Sequence, residues 1–252
     1  PAPEAPPAPS QPLTRGGVEF WLTTSLLRIY PTSTADESRG VIGKPLVLRS
    51  GRNYRLSFQA CFRNLETSSA QMECEVTGID GVQATVRRVG FVPMQQLDTY
   101  TPLEELEGVG KIPGLCPDPL LPETTAHVGP RGTGVFWISL FVPESVTPGV
   151  KSGPVKFTLI NRFGYMGWDN PEKFSVELPF EIHVADVLLK RRENFPVTLW
   201  LSANSIWEYY RIEPFSERFW ELADACIRNL IEHGVDVIYT PIFNIRAEKL
   251  TR

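Results

Sequence analysis

GVFWISLFVPESVTPGVKSGPVKFTL, residues 134–159, reads as two strands joined by a turn. Residues 135–142 are apolar at almost every position, and Val155, Phe157 and Leu159 alternate with Lys156 and Thr158. Pro143 stops the first strand and Pro148-Gly149 supplies turn chemistry. The pair therefore forms the middle of a β-sandwich. Phe136, Ile138, Leu140 and Val142 share one face of the first strand, with Val135, Trp137 and Phe141 on the other. An antiparallel strand is ordinarily polar on its solvent face. A strand apolar on both faces needs cover from a second domain, another part of the chain or a partner. The plainer alternative is a central strand beneath a long loop.

Working outward, period-two alternation continues on both sides. Residues 18–22 and 26–30 read as short strands, 31–40 as a polar loop and 46–48 as a brief strand. Tyr54, Leu56, Phe58, Ala60 and Phe62 form an inward face, which turns Cys61 outward. Met72, Cys74 and Val76 point inward in the next strand. If these strands pair in one sheet, Cys61 and Cys74 face opposite sides and cannot easily bridge. No structural disulfide is expected. Asp80-Gly81 reads as a tight hairpin between 72–76 and 82–89. Residues 91–133 lose the alternation and are rich in Pro and Gly. So long an irregular segment is the first candidate for the layer over Trp137 and Phe141. A loop at 161–171 carries Tyr165 and Trp168, and packing is the leading role for both. Then Phe174, Val176, Leu178, Phe180, Ile182 and Val184 alternate with polar residues. Pro179 lies on the outward face and suggests an edge or a bulge.

The period then changes. Residues 197–201 are a short apolar strand. Ser216 caps a helix whose stripe runs through Phe219, Trp220, Leu222, Ala223, Cys226, Ile227, Leu230 and Ile231, and Gly234 closes it. Residues 235–243 are another apolar strand. This is a β-α-β unit, which implies a parallel pair with a right-handed crossover. One such unit cannot stand alone, because its strands want parallel neighbours and cover on both faces. The reading is therefore mainly β: an antiparallel β-sandwich over 16–187, then residues 188–252 as the opening of a (β/α)8 barrel cut after its second strand. Residues 1–15, rich in Pro and Ala, are expected to stay outside the fold. They look like the spacer that follows an export signal or lipid-anchor site, or else a flexible linker.

Charge and composition exclude some functions. With 25 basic and 29 acidic residues the net charge is −4, and no basic run is present, so nucleic acid is not an expected partner. No apolar run has the length of a membrane span. No CxxC occurs, and His127, His183 and His233 are scattered, so neither a metal site nor a catalytic triad is expected. Neither GxGxxG nor GxxxxGK[ST] follows the strand at 197–201, and no cofactor is expected.

PDPLLP at 117–122 and FWISLFVPESVTPGVKSGPVKF at 136–157 resemble the sandwich domain that precedes the barrel in glycoside hydrolase family 123. VGFVP at 89–93 fits the same pattern. FWELADACIRNLIEHGVDVIYTPIF at 219–243 resembles the first helix and second strand of that family's barrel. The resemblance implies a secreted or cell-surface enzyme acting on N-acetylhexosamine-containing glycans, with the substrate's own N-acetyl group as nucleophile. It also implies an adjacent Asp-Glu pair on a later barrel strand, an exception to the usual two-carboxylate scheme. Asp36-Glu37 is adjacent but lies far upstream and reads as a solvated loop, so no catalytic residue is assigned. The implied partners are the glycan and the rest of the barrel. The alternative is a sandwich module that binds carbohydrate or protein without catalysis.

Barrel active sites lie at the C-terminal ends of the strands. There, Asn204 and Asn244 offer hydrogen bonds to sugar hydroxyls, and Trp207, Tyr209 and Tyr210, read as part of a long loop, offer aromatic faces for stacking. For each aromatic residue the competing role is to pin that loop to the sandwich.

Overall fold

The computed structural model describes residues 13–41, 44–164, 167–169, 173–190 and 194–240. The chain divides into two compact units, Pro1–Leu189 and Lys190–Arg252.

In chain order the first unit contains β1 (Leu13–Arg15), β2 (Val18–Thr24), β3 (Leu46–Arg52), β4 (Tyr54–Asn64), β5 (Ser69–Val76) and β6 (Gln83–Met94). It continues with β7 (Gly114–Leu121), β8 (Thr125–Val128), β9 (Thr133–Val142), β10 (Gly149–Gly164), β11 (Gly167–Asp169) and β12 (Ser175–Leu188). One sheet has the order β1-β2-β4-β9-β6-β7. The other runs β3-β12-β10-β5-β8, with β11 paired to β10. Residues 13–15 thus join the fold as an edge strand, with Leu13 opposite Phe20, contrary to the expectation for 1–15. The remainder of that stretch, 1–12, lies outside the described residues.

The two halves of the central stretch are not a hairpin. β9 lies between β4 and β6 in the first sheet, whereas β10 lies between β12 and β5 in the second. The turn at Pro148-Gly149 carries the chain across the sandwich. Asp80-Gly81 does the same: β5 belongs to one sheet and β6 to the other, with Gly81 at φ 73°. The inward faces are as the alternation requires. Phe20, Phe58, Phe62 and Phe136 from one sheet meet Phe157 and Phe180 from the other in a core where each is fully buried. Phe20 and Phe157 lie 5.1 Å apart, and Phe58 and Phe180 4.9 Å.

Several local readings change. Residues 25–31 are loop, not strand, and β3 is longer than expected and parallel to β12. The expected loop at 161–171 is partly strand, since β10 extends to Gly164 and turns back as β11. Trp168 lies on β11, and Tyr165 falls outside the described residues. Pro179 sits on a strand with two neighbours, not at an edge. It faces Pro154, and the ladder to β3 begins one residue later at Phe180–Leu46. Each proline thus stands just beyond the end of a neighbouring strand, where no ladder needs its missing N–H. Much of 91–133 is also strand. β7 carries Pro117 and Pro119 but is the outermost strand of its sheet, so one side needs no donors.

The outer face of β9 is covered chiefly by residues 25–41 rather than 91–133. Trp21, Ile29, Ala35, Cys61, Val89 and Val135 form a second buried cluster, with Leu27 and Trp137 against it. Gly40 passes so close to Trp21 that a β-carbon there would lie 2.6 Å from the indole. Phe141 is shielded differently, by the Arg55 guanidinium 4.8 Å from its ring centre. Residues 91–133 add a smaller cluster in which Ile112 and Cys116 pack on Tyr30. Lys111 donates to Glu37 at 3.1 Å and holds that carboxyl below its usual range.

Cys61 lies in the outer cluster and Cys74 in the core between the sheets. The assumed common sheet is wrong, because β4 and β5 belong to different sheets, yet each thiol has the facing that parity assigned it. Burial pushes both thiols up, so neither is a nucleophile at neutral pH.

Candidate functional site

The second unit contains β13 (Thr198–Trp200), α1 (Ala203–Tyr210), α2 (Glu217–Glu232) and β14 (Val237–Tyr239). β13 and β14 pair in parallel, Thr198 to Val237 through Trp200 to Tyr239. Hydrogen bonds continue past both ends of this ladder, one of them to a side chain. Val197 N–H donates to Asp236 Oδ2 at 3.0 Å, and Leu201 N–H to the Tyr239 carbonyl at 3.0 Å.

The caps of α2 form as the sequence signals, but Trp220 and Ile231 of the expected stripe are exposed, because only one side of the helix packs on α1. Ser216 Oγ accepts from the Phe219 N–H at 3.3 Å, and Gly234 takes φ 85° just past the last turn. Arg218–Glu221 and Arg228–Asp224 pair on the exposed side at 2.7 Å each. The buried face carries Phe219 and Ala223, which pack with Ile206 of α1. Ser216→Ala should cost the second unit about 1 kcal/mol by freeing an N-terminal donor. The check is a lower thermal midpoint of the 222 nm circular dichroism signal.

The candidate residues occupy different environments. α1 replaces most of the long loop expected after the first strand. Asn204 and Trp207 lie on it three residues apart and share a face. Tyr209 stands about 140° around the axis from Asn204, at 3.6 residues per turn. Trp207 is half-buried and packs on Phe215 at 5.5 Å and Phe219 at 5.7 Å. It belongs to the small core between α1 and α2. Tyr209 and Tyr210 are exposed, edge to face with ring centres 5.0 Å apart. Asn204 and Trp207 thus share one face of α1, with Tyr209 turned away from Asn204 and packed edge to face on Tyr210. Asn244 lies outside the described residues.

Two residues not singled out above do meet at the strand ends. Trp200 and Tyr239 are register partners on β13 and β14, with ring centres 4.3 Å apart and an interplanar angle of 65°. They are 71% and 53% exposed, an aromatic platform at the last residue of each strand. Parity was the available signal: Trp200 falls on the opposite face from Leu199. Among the described residues β13 is exposed throughout, at Thr198, Leu199 and Trp200, while Ile238 on β14 is half-buried. Among the described residues no cluster of His, Cys, Asp and Glu could hold a metal ion. No helix among them is long and apolar enough to cross a membrane.

Residues 200–250 match the family model described as Glycoside hydrolase 123, catalytic domain. The fold resembles a family 123 glycoside hydrolase from Clostridium perfringens, solved in a study of glycolipid glycan hydrolysis, at TM-score 0.65 and 12% identity. That likeness covers 88% of this chain but only 37% of the Clostridium protein, so the chain spans little more than a third of that enzyme's length. Weaker likenesses join the chain to a FixG-related protein from Vibrio parahaemolyticus, at 10% identity and TM-score 0.32, covering 68% of this chain and 98% of that one. A cohesin from Archaeoglobus fulgidus matches at 10% identity and TM-score 0.26, over 56% of this chain and 88% of that one. No curated protein matches in sequence.

Proposed function

We propose that this glycoside hydrolase family 123-like chain forms the sandwich and the first β-α-β of a glycosidase barrel acting on N-acetylhexosamine-containing glycans. The observation that carries the reading is the match of residues 200–250 to the family's catalytic domain, on the unit where β13 and β14 run parallel. Among the described residues the pair has no third strand and β13 is exposed, which supplies further support. Parallel strands are ordinarily flanked and covered, and a barrel would provide both. In that setting Trp200 and Tyr239 stand at the C-terminal strand ends, where barrel enzymes hold substrate. Their rings would take the C–H face of a sugar, with Asn204, Tyr209 and Tyr210 as further contacts.

Catalysis itself belongs to an adjacent Asp-Glu pair on a later strand, as the family resemblance implies. There the substrate's acetamido oxygen attacks the anomeric carbon, the Glu protonates the leaving oxygen and the Asp orients the acetamido group. The role of this chain is to position the sugar. The Pro/Ala-rich stretch at 1–12 suits an exported enzyme working outside the cell or on its surface.

The test is release of nitrophenol from p-nitrophenyl N-acetyl-β-galactosaminide and the corresponding glucosaminide. The chain alone should release none above the blank. A longer polypeptide, with any strands its gene encodes past Arg252, should turn over. Replacing the Glu of its Asp-Glu pair should then cost roughly 10²–10⁴-fold. Turnover by the chain alone, or a longer polypeptide lacking both the pair and the activity, would overturn the proposal.

A further inference from the structure

A cleft of about 380 Å³ lies on the first unit, between the loop at 25–28, the outer face of the first sheet and edge strand β7. Its floor is Gln59 beside Trp137, cross-strand partners on β4 and β9. Gln59 is only 3% exposed, and Nε2 donates to the carbonyls of Thr24 at 2.9 Å and Leu27 at 2.8 Å. Both amide protons are therefore committed. Oε1 is the remaining polar atom, an acceptor whose direction is fixed by the same bonds that hold the loop down. The half-buried Trp137 packs one part of its ring on the outer cluster and lines the cleft with another. At the rim, Arg28 pairs with Glu107 at 3.3 Å, and Asp118 on β7 adds an exposed carboxylate.

We infer that this cleft binds one neutral sugar ring of a glycan. The volume falls within the range of about 300–1,000 Å³ found for small-molecule sites. An indole wall suits the C–H face of a pyranose. Around it, a fixed amide oxygen and a carboxylate accept from hydroxyls, while a guanidinium donates. Arg28, Glu107 and Asp118 together carry a net charge of one negative, which disfavours sulfated, phosphorylated or uronic sugars. Burial of Gln59 with its donors spent gives the floor an orientation that a mobile surface amide would lack. The inference does not rest on the glycosidase reading, because the residues belong to the sandwich. If both hold, the sandwich keeps glycan near the barrel and raises its effective concentration there.

The experiment is saturation-transfer-difference NMR on the whole chain, followed by calorimetric titration. The probes are the methyl glycosides of β-galactose, β-N-acetylgalactosamine, β-N-acetylglucosamine and α-mannose, with methyl β-glucuronide as the anionic control. At least one neutral probe should bind, and the glucuronide should bind at least tenfold more weakly. Asp118→Ala, on an exposed edge strand, should weaken binding at least tenfold without changing the melting temperature. Val150→Ala, at an exposed residue of β10 outside the cleft, should leave the affinity unchanged. No transfer to any neutral probe, or equal affinity for the glucuronide, would overturn the inference. So would an unchanged affinity in Asp118→Ala. Loss of binding in Trp200→Ala but not in Asp118→Ala would move the sugar to the strand ends, which counts against the cleft and for the barrel reading.

Discussion

Phe157→Ala should destabilise the sandwich by about 3–5 kcal/mol, the cost of a large aromatic-to-alanine truncation in a close-packed interior. Phe157 is fully buried on β10 and reaches across the core. Its ring centre lies 5.1 Å from Phe20, 6.2 Å from Phe62 and 6.2 Å from Phe136. Three rings on the facing sheet therefore lose one partner at once. They cannot collapse into the gap, because β2, β4 and β9, which carry them, are fixed side by side by continuous ladders. Phe157→Leu keeps part of the volume and should cost less than half as much. Urea unfolding followed by intrinsic fluorescence would measure both. A cost below about 1 kcal/mol for the alanine variant, outside the range expected of buried aromatics, would mean that the two sheets do not share this core.

The facing of each side chain was legible because a strand has period two. Phe136, Ile138, Leu140 and Val142 are buried together, as are Val176, Leu178, Phe180, Ile182 and Val184. Sheet membership was not legible. Asp80-Gly81 and Pro148-Gly149 have the local chemistry of a hairpin, but a turn that arches between sheets has the same chemistry. Only distant pairings, such as Arg88 with Leu121 or Phe157 with Cys74, decide between them. Prolines misled for a related reason. In β7 they signalled a loop, whereas the outermost position of that strand excuses their missing donors. α2 was readable from Ser216, the apolar stripe and Gly234 because caps and periodicity are local. α1 was hidden. Its Ser202 makes no side-chain cap bond, and ANSIWEYY is poor in strong helix formers. The cleft at Gln59 and Trp137 had no sequence signature, since its walls come from six separate segments.

Trp207 and Trp200 should respond in opposite ways to removal. The sequence offered Trp207 two roles, a sugar platform or a pin for its loop. The structure sets it between Phe215 and Phe219 in a core that also holds Ile206 and Ala223. Trp207→Ala should therefore cost the second unit about 2–3 kcal/mol, somewhat below a fully buried truncation because the ring is only half-buried. A unit of this size has little stability in reserve, so such a loss is enough to unfold much of it. Circular dichroism at 222 nm isolates the effect, since among the described residues α1 and α2 are the α-helices. Trp200→Ala removes a ring that is 71% exposed and touches Tyr239 across the strands. It should change that signal's melting midpoint little, by an amount worth about 0.5–1 kcal/mol for the lost aromatic pair. In a turnover-competent longer polypeptide it should raise KM at least tenfold. A stable Trp207→Ala with weakened glycan binding, beside a Trp200→Ala that binds normally, would return the platform to α1 and take it away from the strand ends.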